Sequence, residues 1–554
     1  MPEMSQAEQA SGPTILDWLA DPATDRGLHF ADTVGDGWTF VSYARLAALV
    51  ARAAGQLRAA GVEPGQVVPL ACPTSPTFVA GFFGALALGA TPCPVAPPVT
   101  YRDPAAYARH LARVVDLVGA RVMVTTTAGA AGVSDRGVTV LAGIDAEHPG
   151  LERIEPAPPV AVVQFSSGST GPQRGVQVSM AAMTANLAGI RSWLSYAEGD
   201  AMVSWLPLHH DMGLVGALLM PMTVGTDVWL LRPEQFLRSP TRWLSPFAQG
   251  ATTSVAPTFG LAHLLRRTRA TDLHGLDLRT WRALVVGAEP VRGEVLDAFA
   301  RLLAPHGFGP AALLPAYGLA EATLAVTGTR PGRGRRVRIL PGTLAPGQPV
   351  HVTDDASVGV ELVGSGEPLP GVQVRLVDPG GVPVPDGAAG EIELRGCTVA
   401  TGYLADDGPG RFDGVVRTGD VGFRRDGNLF VVGRLGDSAK QFGRWLFAEE
   451  LELVAVARSP RPTRTVVLLD AGADGASVVA VVEDDLGDSA AAIGGALANR
   501  VTPARVRVFS APEGWIARTT SGKPQRREMW RRLASGDTAV AVRWDSLQPD
   551  ATRR

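Results

Sequence analysis

Short apolar runs alternate with segments of helical length through the first two-thirds of this sequence of 554 residues. The runs that predict buried strands are 67–72, 121–127, 161–166, 202–206, 227–231 and 282–286. The segments that predict helices include 43–61, 77–89 and 104–118. Parallel strands need helical crossovers of this length. The pattern therefore predicts an α/β fold whose large N-terminal body contains two doubly wound parallel sheets.

The rhythm changes near Glu361, where short strands separated by proline and glycine replace the alternation. The runs 372–378 and 391–396 predict a small antiparallel β-barrel or sandwich, of which we expect the β-barrel as part of the N-terminal body. After 433–437 the apolar pattern predicts a further set of elements, with helices near 447–457, 489–500 and beyond Gln525, and strands at 465–470, 477–483 and 505–509. A C-terminal α+β domain of roughly 120 residues is a normal size for such a module.

Charge and cysteine content exclude several classes of protein. The sequence has 51 Lys and Arg residues and 54 Asp and Glu residues, so its net charge is −3. A nucleic-acid-binding protein usually has an excess of basic residues, which this sequence lacks. Three cysteines without a CxxC spacing predict neither a disulfide scaffold nor a structural zinc site. No secretory signal is evident, and prolines interrupt the uncharged stretch 64–101 before it reaches the roughly 20 apolar residues of a membrane span. A soluble, cytoplasmic protein without a membrane span is therefore expected.

A segment rich in glycine and hydroxyl side chains, SSGSTGPQRG at 166–175, follows the apolar run AVVQF. Glycines allow tight turns, and backbone N–H groups and hydroxyls donate to phosphate oxygens. We therefore predict a strand that runs into a phosphate-binding loop and then opens a helix. The spacing differs from GxxxxGK[ST] and no lysine is present. A flexible surface loop is the alternative, since many Gly/Ser segments are of that kind.

Six further segments follow in order: WLPLHHDMGLVG (205–216), VGAEPVR (286–292), AYGLAEATL (316–324), RTGD (417–420), GRLGD (433–437) and TTSGK (519–523). With the loop, they resemble the core motifs of the adenylate-forming superfamily, which contains acyl-CoA synthetases, nonribosomal adenylation domains and luciferases. The resemblance spans nearly the whole chain. LPLHHDMGL, Ala320 in YGLAEATL, the stretch 85–98 and the long segment 324–364 are similar to the fatty acyl-AMP ligase branch.

The resemblance implies a nucleotide site. Tyr317 would stack on adenine, Asp420 would accept hydrogen bonds from the ribose hydroxyls, and Arg434 would reach the ribose or a phosphate. The residues implied to bind nucleotide are Ser166, Ser167, Gly168, Ser169, Thr170, Gly171, Arg174, Gly287, Ala288, Glu289, Ala316, Tyr317, Gly318, Asp420 and Arg434.

The resemblance also implies groups that act on the substrate carboxylate. Lys523 would bridge the carboxylate and the α-phosphate, where negative charge develops in the transition state. Glu321 would bind Mg²⁺, and His210 would lie beside the carboxylate and the metal. The residues implied to line the acyl and thiol paths are Trp205, Met212, Gly213, Lys440 and Gly443.

In the adenylate-forming superfamily the C-terminal domain turns between two half-reactions. By resemblance the chain divides into a body over 1–433, a hinge over 434–437 and a mobile lid over 438–554. Gly436 stands at the hinge position, where relatives usually have Asp or Lys, and glycine widens the accessible dihedral range.

Two positions depart from the fatty acyl-AMP ligase pattern. Arg174 stands where the loop usually has lysine, and its guanidinium is planar and bulkier than an ammonium. The string KQFG at 440–443 is more similar to the K-x-x-G of acyl-CoA synthetases, which lines the path of pantetheine. The phosphate loop is thus slightly altered, whereas the thioester-forming part is kept.

The leading hypothesis is a ligase that converts a fatty or natural-product carboxylic acid through acyl-AMP to a thioester. It would use ATP and Mg²⁺, with coenzyme A or an acyl carrier protein as the thiol. The alternatives are an enzyme that mainly ligates CoA to acyl-AMP supplied by a partner adenylating enzyme, an acyl-AMP ligase without a thioester step, and a non-enzymatic protein that binds nucleotide or acyl-AMP.

Overall fold

The computed structural model describes residues 14–100, 103–126, 130, 133–145, 147–165, 174–340, 344–404, 410–441, 444–472, 475–519 and 522–548. In this part of the chain the largest sheet has nine strands, and six adjacent strands in it are parallel. In spatial order the nine strands are Glu367–Pro368, Ala325–Gly328, Leu313–Gly318, Ala283–Val286, Thr253–Ala256, Met202–Ser204, Val228–Leu230, Gly27–Ala31 and Trp38–Ser42.

A second, fully parallel sheet has four strands in the order Thr91–Pro94, Val67–Ala71, Val122–Thr125 and Thr139–Leu141. Helices connect the strands of both sheets, and most of them bury their apolar sides against one large core. The helix Pro104–Val118 packs into a second, smaller core with residues of the four-stranded sheet. The α-helices of this body are Tyr43–Ala59, Pro76–Ala87, Pro104–Val118, Met180–Leu194, Met220–Met222, Pro233–Arg238, Thr258–Arg267 and Gly293–Leu303, and Met212–Leu219 is a π-helix. The predicted α/β body with two parallel sheets is confirmed.

The strand before the glycine-rich loop pairs differently from the prediction. Val160–Phe165 is antiparallel to Gly175–Ser179, and Gly402–Tyr403 completes this small sheet. The predicted loop opening a helix is therefore wrong, because the chain returns from the loop as a second strand. The helix begins only at Met180, where the Ser179 side chain caps it. Residues 166–173 of the loop lie outside the described residues.

Antiparallel strands follow the nine-stranded sheet along the chain. Four of them form one sheet in the order Val372–Val377, Gly390–Gly396, Val415–Arg425 and Asn428–Arg434. Two others, Arg336–Ile339 and Val360–Val363, pair with each other and are called the β-ribbon below. Leu362 of the β-ribbon packs with Phe430 of the four-stranded sheet, whereas Val360 packs into a core formed by the C-terminal residues.

The C-terminal residues form an α+β arrangement with cores of their own. A strand pair, Ser438–Gln441 with Arg444–Phe447, precedes a mixed four-stranded sheet of Thr465–Gly472, Gly475–Val482, Arg505–Ser510 and Ala541–Asp545. The helices here are Ala448–Val456, Ser489–Val501 and Arg526–Ala534. No helix in the described residues combines the length and the apolar character that crossing a membrane requires.

In the C-terminal residues, the buried guanidinium of Arg526 contacts three carboxylates. Arg526 donates to Glu452 at 2.8 Å, to Glu449 at 3.3 Å and to Asp437 at 3.4 Å, and also to the Val467 carbonyl at 3.1 Å. One positive charge cannot compensate three negative charges in a buried site. Burial raises the pKa of Asp437 and raises that of Glu449 to about 7, although the Arg526 charge opposes both shifts.

Stability should fall as the pH rises through the range in which Glu449 ionises. Its pKa is higher in the folded protein than in the unfolded chain, so its contribution is complete below about pH 4.5 and is lost toward pH 7. We expect the free energy of unfolding to decrease by about 1 to 3 kcal/mol over this range. Denaturant unfolding at several pH values measures it, and Glu449→Gln should flatten the profile. An unchanged profile in that variant would contradict the assignment.

Candidate active site

A cavity of about 480 Å³ opens at the carboxyl ends of the parallel strands and is closed by C-terminal residues. In open α/β sheets ligands bind at this edge. Many residues implied by the sequence resemblance line it, although they come from distant parts of the chain. They are Arg174, His210, Met212, Gly287, Ala288, Ala316, Tyr317, Gly318, Glu321, Arg434, Gly436 and Lys523.

Three side chains from three strands form a hydrogen-bonded group at one end of the cavity. The Tyr317 hydroxyl donates to Asp420 Oδ2 at 2.6 Å, and Arg434 Nε donates to Asp420 Oδ1 at 2.7 Å. Asp420 and Arg434 lie opposite each other on paired strands, which fixes their approach. Burial and the Asp420 charge raise the pKa of Tyr317 well above its ordinary value, so the phenol stays protonated. Asp420 itself is only 4% exposed.

Lys523 enters the cavity from a tight turn. Thr519 N–H donates to the Lys523 carbonyl at 2.8 Å, and Gly522 adopts a left-handed φ of 85° that favours glycine. Burial lowers the pKa of Lys523, and the charge of Arg434 lowers it further. Carboxylates including Asp211 oppose that shift. The turn thus places a nearly desolvated ammonium where its attraction for an anion is strong.

His210 and Asp211 lie side by side in the cavity wall, with Nδ1 of the imidazole 3.6 Å from Oδ1 of the carboxylate. Asp211 also accepts the Met212 N–H at 2.7 Å. Burial alone would raise the pKa of Asp211, but the hydrogen bond and charge of His210 lower it overall. The carboxylate therefore stays ionised and orients the histidine beside the cavity.

A second set of cavity residues is apolar. Ile190, Trp193 and Leu194 project from the helix Met180–Leu194, and the indole of Trp193 donates to the Thr329 carbonyl at 2.9 Å. Other members of this wall are Met212, Gly216, Val255, Val285, Leu324 and Ala325. These apolar side chains suit an uncharged hydrocarbon group.

Several implied residues do not line the cavity within the described residues. Trp205 is buried and stacks on Phe236 at a ring separation of 4.0 Å, so it supports the wall from behind. Gly213 leaves no room for a side chain, because an added Cβ would lie 2.4 Å from the Pro207 carbonyl oxygen. Glu289 turns inward and accepts the N–H of Phe259. None of the three lines the cavity among the described residues, and their roles on the acyl path and against adenine remain predictions.

The remaining implied residues are Lys440, Gly443 and the loop group. Lys440 is exposed on the strand Ser438–Gln441, where its ammonium lies 5.9 Å from the Trp445 ring centroid, and it does not reach the cavity. Gly443 lies outside the described residues, as do Ser166, Ser167, Gly168, Ser169, Thr170 and Gly171.

The structure adds cavity residues that the sequence reasoning missed: Gln164, Glu391, Tyr403, Arg417 and Arg527. Arg417 pairs with Glu391, whose other oxygen accepts the Gly419 N–H at 3.2 Å. Arg417 opens the RTGD segment and Arg527 follows TTSGK, so both were within reach of the motif signal. Tyr403 is far from every quoted motif and carried no such signal.

Glu321 fits the expected role toward Mg²⁺. The described residues contain no group of three or more His, Cys, Asp or Glu that could hold a metal unaided. Mg²⁺ usually binds through one or two carboxylates together with substrate phosphates and water. Glu321, one of three carboxylates that line the cavity, therefore suits a magnesium ion that arrives with a nucleotide.

The sequence of this chain is similar to those of known proteins. The AMP-binding enzyme family matches residues 21–404. A putative acyl-CoA synthetase of Caulobacter vibrioides is 32% identical over 469 residues, which is 80% of this chain and 81% of the relative. The long-chain-fatty-acid–AMP ligase FadD26 of Mycobacterium marinum is 33% identical over 487 residues, covering 81% and 80%.

A solved structure from work on the fatty acyl-adenylate ligases of E. coli and L. pneumophila superposes with a TM-score of 0.84 and 28% identity. The match covers 95% of this chain and 99% of that one. The chain therefore belongs to the AMP-binding enzyme family and to the adenylate-forming superfamily, with fatty acyl-AMP ligases and acyl-CoA synthetases among its homologues.

Proposed function

We propose that this protein activates a carboxylic acid by joining it to AMP. The observation that carries the proposal is one cavity whose lining combines charged and apolar side chains. Lys523, Tyr317 and Arg434 line it, the last two hydrogen-bonded to Asp420, and Ile190 belongs to its apolar lining. An acyl-AMP has matching parts, because its phosphate and ribose are polar whereas its acyl chain is apolar.

In the proposed first half-reaction, a carboxylate oxygen attacks the α-phosphorus of ATP while the bond to pyrophosphate breaks, which gives acyl-AMP and pyrophosphate. Lys523 would neutralise the carboxylate and the α-phosphate as they approach. Tyr317 donates to one oxygen of Asp420 and Arg434 to the other, so each oxygen would keep a second lone pair for a ribose hydroxyl. Mg²⁺ held through Glu321 would neutralise phosphate charge. Positioning and electrostatics supply most of the catalysis in such displacements.

In the proposed second half-reaction, the sulfur of a thiol attacks the acyl carbon, the thiol proton is lost, and the bond to AMP breaks. The product is a thioester of CoA or of a carrier protein. Lys440 lies outside the cavity in this arrangement, so the thiol step would need the residues 438–554 to turn relative to 1–433. Gly436, exposed at the cavity wall, is the proposed pivot within 434–437.

Acid-dependent pyrophosphate exchange with a panel of carboxylic acids tests the proposal, with CoA consumption followed in parallel. Exchange with at least one acid supports adenylation. Thioester formation from synthetic acyl-AMP and CoA without exchange would instead favour an enzyme that receives its adenylate from a partner. Tight binding of acyl-AMP without any turnover would contradict the proposal and favour the non-enzymatic alternative.

A second candidate, an acyl-AMP ligase without a CoA step, is favoured by the β-ribbon. The β-ribbon contacts both parts of the molecule. Arg336 pairs with Asp297 in the body at 2.7 Å, whereas Val360 packs in the C-terminal core and the Val358 carbonyl accepts from Arg500 at 3.4 Å. A segment attached on both sides opposes the rotation that the thiol step would need.

If this attachment limits the thiol step, Arg336→Ala should increase CoA thioester formation about two- to fivefold while pyrophosphate exchange stays constant. The expected size corresponds to the loss of one partly exposed ion pair. Arg338→Ala is the matched control, because Arg338 pairs at 3.5 Å only with Glu361 inside the β-ribbon. Equal thioester rates in both variants would show that the β-ribbon does not restrain the C-terminal part.

A further inference from the structure

Tyr403 connects two residues of the cavity that the sequence resemblance treats separately. Its hydroxyl donates to Glu321 Oε1 at 2.8 Å. The other oxygen of that carboxylate, Oε2, accepts no hydrogen bond from the described residues. The carboxylate is therefore held by one oxygen and can offer the other to a cation.

The ring of the same tyrosine contacts Arg174. The Arg174 guanidinium carbon lies 4.9 Å from the Tyr403 ring centroid. A planar guanidinium stacks on an aromatic face better than an ammonium does. This contact gives a physical reason for arginine at the position where related loops have lysine.

The backbone around Tyr403 ties it to both partners. Leu404 N–H donates to the Gly175 carbonyl at 2.9 Å, directly after Arg174, and Ala400 N–H donates to the Glu321 carbonyl at 2.9 Å. The Tyr403 ring also packs edge-on against Phe412 with a centroid separation of 4.9 Å. Its position therefore depends on the return strand of the glycine-rich loop and on the turn that carries Glu321.

We propose that Tyr403 is a positioning residue whose hydroxyl holds Glu321 and whose ring holds Arg174, so that the two meet the magnesium and the phosphates of ATP together. The inference rests on the proposed function. One positive and one negative group at the phosphate end would otherwise pair directly or turn to solvent. Tyrosine keeps them apart, because it donates to the carboxylate and offers an electron-rich face to the guanidinium.

Titration of ATP in the absence of any acid, at several Mg²⁺ concentrations, tests this without turnover. Tyr403→Phe keeps the ring but loses the hydroxyl, so the Mg²⁺ concentration for half-maximal ATP binding should rise about tenfold. Affinity at saturating Mg²⁺ should change less than about twofold, since Glu321 and Arg174 both remain. Tyr196→Phe is the matched control, because it removes a buried hydroxyl that contacts Thr226 at 2.8 Å, outside the cavity.

A double-mutant cycle tests the contact with the ring. Tyr403→Leu and Arg174→Ala should each weaken ATP binding, and the double variant should lose less than the product of the two single losses, because both changes remove the contact between the ring and the guanidinium. Independent, multiplicative effects would overturn the proposal, as would the same Mg²⁺ dependence in Tyr403→Phe and Tyr196→Phe. If the unaltered protein adenylates acids and only these results fail, the inference is wrong and the proposed function stands. If it binds no Mg²⁺–ATP, both are wrong.

Discussion

Replacing Lys523 by alanine is expected to slow acid-dependent pyrophosphate exchange by about 100- to 1000-fold. Lys523 is half-buried in the cavity lining, so water screens its attraction for the reacting carboxylate and phosphate less than it would at the surface. ATP binding should weaken much less, because Tyr317, Asp420 and Arg434 remain in place. The loss should therefore appear in the maximal rate rather than in the ATP concentration needed to reach half of it.

Lys523 is one of only two lysines in the sequence, the other being Lys440, and the rest of the 51 basic residues are arginines. The control variant for Lys523→Ala therefore removes an arginine. Arg531→Ala removes an exposed cation from the helix that follows the Lys523 turn, where it pairs with Glu528 at 3.0 Å. This control should exchange pyrophosphate at the unaltered rate. A Lys523→Ala protein as active as the control would remove the main support for the proposed chemistry.

Local signals were sufficient for many elements of the body. The helix predicted at 104–118 is observed as Pro104–Val118, because Asp103 caps its first N–H groups and Gly119 ends it in a left-handed conformation. The pairing of strands could not be predicted in the same way. The run 161–166 looks equally suitable for a parallel or an antiparallel neighbour, and its partner Gly175–Ser179 decides which forms.

The candidate site also contains residues that the sequence could reveal and residues that it could not. The motif residues Tyr317, Asp420 and Arg434 lie together in the structure, as the sequence resemblance implied. Each of them lies in a motif that this resemblance assigns to nucleotide binding. Trp205 was expected on the acyl path, and in the structure it stacks on Phe236 and does not line the cavity. An aromatic residue in a motif has the same appearance in either position. Tyr403 was missed because its role depends on contacts with residues 82 and more positions away in sequence.

Arg526 lies in the helix predicted beyond Gln525, among other arginines, yet the structure buries it. Of its three carboxylate partners, Asp437 is the last residue of the proposed hinge, and Glu449 and Glu452 follow it in the chain. The contact therefore joins the first residues of the C-terminal part to its last helix. A pattern of exposed-type residues cannot reveal such a cluster, because burial depends on how distant elements pack.

Arg526→Met is accordingly expected to lower the free energy of unfolding of the C-terminal part by about 3 to 5 kcal/mol, since it leaves buried carboxylates without a counter-charge. Denaturant unfolding at pH 8 measures this loss, and it should shrink at pH 5, where Glu449 takes up a proton. Arg505→Met is the control, because Arg505 forms a half-exposed pair with Asp545 at 2.6 Å and should cost less than about 1 kcal/mol. Equal losses in the two variants at pH 8 would show that the buried cluster contributes no more than a surface ion pair.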